Sequence, residues 1–206
     1  MILASRRARP RTLYLVRNVW LSPASPHPPL TLPFTTMTSS STGADVVDHL
    51  VGLAPGMPLH AVRHQRDKVV HATQGSVDAL LSPDVEGLSV QERLLVGWYA
   101  ARLTPCPTLE PHYHAQLDDS WSTQVLDAIT RDQLSEVQDA RLQAVLQFVR
   151  ALITKPITGD QALLHTLPAA GLSTPAVVAL AQWIAFLSYQ ARLVSGLQAL
   201  KRWRAQ

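Results

Sequence analysis

Residues 87–117 read GLSVQERLLVGWYAARLTPCPTLEPHYHAQL, and the fold class turns on this stretch. Ser89 and Glu92 stand at the spacing of a capping box. The serine side chain can accept from a free first-turn amide while the glutamate reaches back to the serine's own amide. The residues after Ser89, VQERLLVGWYAARL, read as a helix that stops at Pro105. Cys106 then sits between Pro105 and Pro107 in a corner. A further helix is expected to start near Glu110, with Pro111 in its first turn. His112 and His114 would lie on that helix.

The same helical pattern extends in both directions. ADVVDHLVGLA carries Val46, Val47, Leu50 and Val51 at helical spacing, before Gly56 and Pro58. Residues 58–81 read as one helix, and DQLSEVQDARLQAVLQFVRALITKP as a long amphipathic one closed by Pro156. TGDQALLHTLPAAG is a short helix. Ser173 or Thr174 caps the last and longest, with Pro175 in its first turn. Val177, Val178, Leu180, Ala181, Ile184, Leu187, Ala191 and Leu197 cover much of its circumference, which predicts a central helix with Trp183 buried. No credible strand appears. The expectation is an all-α domain of about seven helices over residues 44–206.

Residues 1–43 differ in kind. SPASPHPPLTLP and TTMTSSSTG are low-complexity runs with little to pack, so the segment reads as a flexible leader. An Arg-rich, acid-free organellar transit peptide, a poor secretory signal and an over-early start are all readings of it. The polar MTSSSTG opening runs straight into the first helix, which favours Met37 as the natural start. Arg6, Arg7, Arg9, Arg11 and Arg17 all precede the first acidic residue, Asp45. Without those five, 13 basic residues face 15 acidic ones, a net of −2, so the overall +3 is no sign of nucleic-acid binding. One cysteine excludes an intramolecular disulfide and points to a reducing cytoplasm. No run approaches the ~20 uninterrupted apolar residues of a membrane span.

Two clusters could carry chemistry. His60, His64, Asp67 and His71 lie at i, i+4, i+7 and i+11, one face of a continuous helix. Histidines four apart can bind zinc. Leu59, Val62, Val69, Val70, Val77 and Leu80 define the opposite face, so the histidines are expected to point toward solvent or a partner subunit, as a polar face and not a closed metal site. A G-x-S-x-G elbow and a phosphate-cradling glycine loop are both missing. The second cluster is the proline corner.

Around that corner the chain resembles the carboxymuconolactone decarboxylase and alkylhydroperoxidase D (AhpD)-like family, in its peroxidase-related branch. The likeness extends to DVVDHLVGLAPGMPLHAVRHQRDKVVHATQGSVDALLSP and AAGLSTPAVVALAQWIAFLSYQARLVSGLQAL, roughly residues 44–200. It implies a helical bundle that forms a homo-oligomer (dimer, trimer or hexamer) and reduces hydroperoxides without a bound cofactor. A small thiol or disulfide would serve as reductant. The family motif is a glutamate, a C-x-x-C beginning twelve residues on, and a histidine four residues after the second cysteine. Anchored on Ser89, those seats fall on Leu94, Cys106, Leu109 and Tyr113. One extra residue in the corner would bring His112 into the histidine seat but displace Cys106 from its own. The resemblance therefore implies weak or altered activity, with Cys106 as the attacking thiol if there is any. Glu92, His112, His114 and Tyr113 are the groups that could assist, although capping already accounts for Glu92. The alternative is a non-catalytic small-ligand-binding or assembly protein on the same fold, with Trp98, Tyr99, Tyr113 and Trp183 lining a cavity. Neither reading involves nucleic acid or a membrane.

Overall fold

A computed structural model describes residues 45–204; the leader and the Met37 start lie outside the described residues. The chain there is all-α. Its helices are α1 (Val46–Val51), α2 (Pro58–His64), α3 (Asp67–Leu80), α4 (Val90–Leu103), α5 (Leu109–His114), α6 (Thr123–Thr130), α7 (Ala140–Thr154), α8 (Gln161–Ala169) and α9 (Thr174–Arg204). Short 3₁₀ turns lie at Leu134–Glu136 and Pro156–Thr158. The nine helices among the described residues agree with an all-α bundle of about seven, and the two added ones have local reasons. Residues 58–81 break at Gln65 and Arg66, where Arg66 leaves helical geometry at φ −118° and ψ 58°. Ser122 also caps a helix, α6, that the apolar pattern did not reveal.

The start of α4 is built as its sequence implies. Glu92 N donates to Ser89 Oγ at 3.1 Å and Ser89 N donates to the Glu92 carboxylate at 2.7 Å, so both halves of the capping box are made. The seventh helix starts later than expected, because the Asp139 side chain accepts from the amides of Arg141 and Leu142 and fixes the first turn there.

Two helices, α4 and α9, organise the bundle. The former packs on α5, α7 and α9, the latter also on α1, α3, α7 and α8. Trp183 of α9 is fully buried, and its indole N–H donates to the Arg93 carbonyl on α4 at 2.8 Å. Val178 departs from the expected buried stripe and is exposed. A segment of α9 has the length and composition of a membrane span, with a mean hydropathy of 1.3 over 18 residues, but 44% of that window is buried inside the bundle. Its apolar circumference has an explanation in those packing partners.

Arg93 is the buried charge of this core, at 1% exposure. Its guanidinium donates to the carbonyls of Leu80 at 2.6 Å and Ser82 at 2.8 Å, and its Nε to Ser89 O at 3.3 Å. It thereby satisfies carbonyls freed where α3 ends and ties that end to α4. Burial holds its pKa below the ordinary arginine value, opposed by the neighbouring Glu92. Gly97, one turn further along α4, has a packing role: a Cβ there would lie 2.9 Å from Tyr113 Cδ1. The absence of a side chain lets the Tyr113 ring of α5 lie directly against α4.

Candidate functional site

Thr104, with φ −117° and ψ 134°, leaves α4 in the extended conformation that a residue before proline favours. The chain then turns tightly. Cys106 N donates to Thr104 O at 2.6 Å and Leu109 N to Cys106 O at 3.1 Å, which sets up the start of α5. Cys106 is 2% exposed. Its sulfur lies 3.7 Å from Thr108 Oγ1, the hydrogen-bonding neighbour it has among the described residues. The threonine hydroxyl in turn accepts from Gln198 Nε2 of α9 at 3.2 Å. Two clefts flank the corner, of about 380 and 490 Å³, and both reach Pro105; Cys106 lines neither.

The three residues at the other expected positions are packed as core. Leu94, Leu109 and Tyr113 belong with Cys106 to one hydrophobic cluster. Tyr113 donates its hydroxyl to Gln190 Oε1 at 2.6 Å, with its ring edge-on to Trp183. Burial pushes its pKa well above the ordinary phenol value, so it stays neutral and hydrogen-bonded. Gln190 is itself fully buried, and its Nε2 has no partner among the described residues.

The remaining candidates are engaged elsewhere. Glu92 completes the capping box and pairs with Arg141 of α7, whose other nitrogen donates to Gly87 O. His112 meets the Gln116 amide at 3.2 Å and stands edge-on to Tyr113. Burial lowers its pKa from the ordinary imidazole value, and His49 adds repulsion, so the neutral ring is favoured. His114 packs on Trp98 at 4.8 Å between centroids. The structure thus brings Cys106, Leu109 and Tyr113 into one core, but it does not place a base on the sulfur.

The four aromatics suggested as a cavity lining are packed in the core and do not together line a cavity. Tyr99, Tyr113 and Trp183 are packed in the core. Tyr99 donates to Asp132, whose φ of 56° belongs to the left-handed turn that ends α6 and whose carboxylate also pairs with Arg150 at 2.9 Å. Trp98 edges a surface cleft of about 370 Å³ with Arg102, Glu110 and His114.

The histidine stripe is changed most. Because the helix breaks at Gln65–Arg66, His71 parts from the other two and is exposed on α3. His60 and His64 do not face open solvent. Their rings stack at 4.0 Å and both point at Asp48 of α1, a residue that the sequence did not single out. His64 Nε2 is 2.7 Å from Asp48 Oδ2 and His60 Nε2 is 3.8 Å from it. Arg63 sits beside them, 2.9 Å from Asp45 and 2.8 Å from Asp48 Oδ1. The Asp48 contact is an ion pair without hydrogen-bond alignment, since both atoms are buried with no properly directed partner. The signal missed in the sequence was the acid in the preceding helix, Asp48.

No protein-family model, curated protein or solved structure matches this chain. Its function is therefore argued from these side chains and from the resemblance at the proline corner.

Proposed function

We propose that this chain is a peroxidase-related, AhpD-like helical protein whose thiol chemistry is weak or altered. In this reading it assembles as a homo-oligomer in the cytoplasm, with no bound cofactor, no nucleic-acid partner and no membrane association. The observation that carries the reading is the environment of Cys106. It occupies the first thiol seat of the motif, yet it is 2% exposed and its sulfur faces a threonine hydroxyl, not a base. A thiolate is favoured by nearby positive charge or a helix N-terminus. The hydrogen-bonding neighbour of the sulfur is that uncharged hydroxyl, and α5, which begins three residues later, is only six residues long. Leu109 in the second thiol seat leaves no internal group to resolve a sulfenic acid, so any turnover would need an external thiol.

A second reading, a non-catalytic protein binding a small apolar molecule, has one observation in its favour. A groove of about 260 Å³ runs between α2, α3 and α9, lined by Leu59, Val62, Val69, Val70, Leu193 and Leu200 among others. Val62, Val69, Tyr189 and Leu200 on its walls are exposed, which is unusual for side chains of that size and polarity grouped together.

The deciding experiment treats the protein with one equivalent of an organic hydroperoxide and follows intact mass. The reading expects slow oxygen addition at Cys106 and peroxide consumption close to background, unchanged in Cys106→Ala. Rapid stoichiometric oxidation of Cys106, with turnover when a small thiol is added, would overturn it and mark a competent peroxidase.

A further inference from the structure

We propose that Asp48, His60 and His64 form a binding site for a hydrated divalent first-row transition-metal cation, zinc above all. The argument begins with convergence. One donor atom from each residue, two imidazole nitrogens and a carboxylate oxygen, lies within 4.8 Å of the other two. Two histidines four residues apart on α2 present their Nε2 atoms on the same side, and α1 supplies the carboxylate opposite them.

The surroundings are those of a supported site. Histidine ligands commonly use their second ring nitrogen on a carboxylate, which fixes the tautomer and raises basicity. His64 Nδ1 faces Asp67 Oδ1 at 3.5 Å. Arg63 lies 2.8 Å from the other oxygen of Asp48 and holds that carboxylate in place. Charge points the same way. Arg63 pairs with Asp45 and Asp48, while Asp67 faces His64; three carboxylates against one guanidinium give a net of −2 before the histidines are counted. A divalent cation neutralises that charge.

Binding needs only small movements. In the ion-free chain the contact at 2.7 Å is made with a proton on His64 Nε2 shared toward Asp48. With the ion bound that proton resides on Nδ1, facing Asp67, and Nε2 becomes a ligand. His60, the more distant donor, tilts toward His64 so that both nitrogens reach about 2.0–2.1 Å from the ion. The side chains of His60 and His64 keep 20% and 29% exposure, which leaves the remaining coordination positions to water. Two imidazoles with one carboxylate select zinc, nickel, copper or cobalt over calcium and magnesium, which prefer all-oxygen shells.

The test uses untagged full-length protein, titrated with Co²⁺ and then competed with Zn²⁺. The expected result is one equivalent of Co²⁺ with visible d–d absorption, displaced by one equivalent of Zn²⁺. Affinity falls at least tenfold in His60→Ala and in His64→Ala. In Asp67→Asn it falls about tenfold, the usual scale for losing the group behind a histidine ligand. The Asp67 side chain is two-thirds exposed, so that variant reports on the site even if a histidine variant folds poorly. His71→Ala binds as the parent does. Absence of the absorption bands, or bands and affinity unchanged in both His60→Ala and His64→Ala, overturns the proposal.

Discussion

Cys106 and His64 are both partly or wholly withdrawn from water, yet the first meets a threonine hydroxyl at 3.7 Å and the second a carboxylate at 2.7 Å. The proline corner gathers a thiol, two histidines and a glutamate within a few residues of sequence. Folding then sends each to a different partner: His112 to Gln116, His114 to Trp98, Glu110 to Arg102. The α1–α2 region spreads its groups over two helices and the loop between them, but the fold brings two imidazoles and an acid to one point. Reactive residue types near one another along the chain are therefore a weak guide to a site. What matters is whether their functional atoms converge, and whether a charge of the right sign lies behind them.

The largest expected effect comes from forcing the corner back toward the motif. Tyr113→His removes the phenol that donates to buried Gln190 and empties part of the space against Gly97. It leaves Gln190 with neither amide atom paired, and should cost about 2–3 kcal/mol, read as a fall in the urea midpoint. No gain in peroxide turnover is expected. A stable Tyr113→His protein with enhanced turnover would break the comparison, because it would mean that the corner lacks one residue and not a whole arrangement.

Glu92→Gln should have a much smaller effect. Glutamine can still complete a capping box, so the loss is mainly the charge pairing with partly exposed Arg141, about 0.5–1 kcal/mol at low salt. Peroxide consumption should stay at the parent level. A large drop in consumption with intact stability would give Glu92 a catalytic part and narrow the contrast between the two regions.

The all-α class was legible because periodicity and caps are local. The Ser89–Glu92 box, the stop before Pro105 and the Ser173 cap all act within four residues, and each is present in the structure. The break at Gln65–Arg66 was not legible, since HQRD contains neither glycine nor proline and each residue is compatible with a helix. It is settled by tertiary contacts that pull Arg63 and His64 onto α1. Buried Arg93 was equally hidden, because its partners are carbonyls at the end of another helix. At the candidate site, the corner was legible from Pro105 and Pro107 and its Thr108 neighbour is local, while the Gln198 amide that Thr108 accepts from lies on α9, 90 residues away along the chain.

The central claim, that Cys106 is packed in the core and is not a working thiol, is tested most directly by the rate at which it reacts with an aromatic disulfide reagent. The chain has a single cysteine, so the signal needs no assignment. The account predicts that the folded protein reacts at least about a hundredfold more slowly than the urea-unfolded chain, because the buried sulfur is reached only through opening. Reaction of folded protein within seconds, at a rate equal to or above that of the unfolded chain, would contradict it.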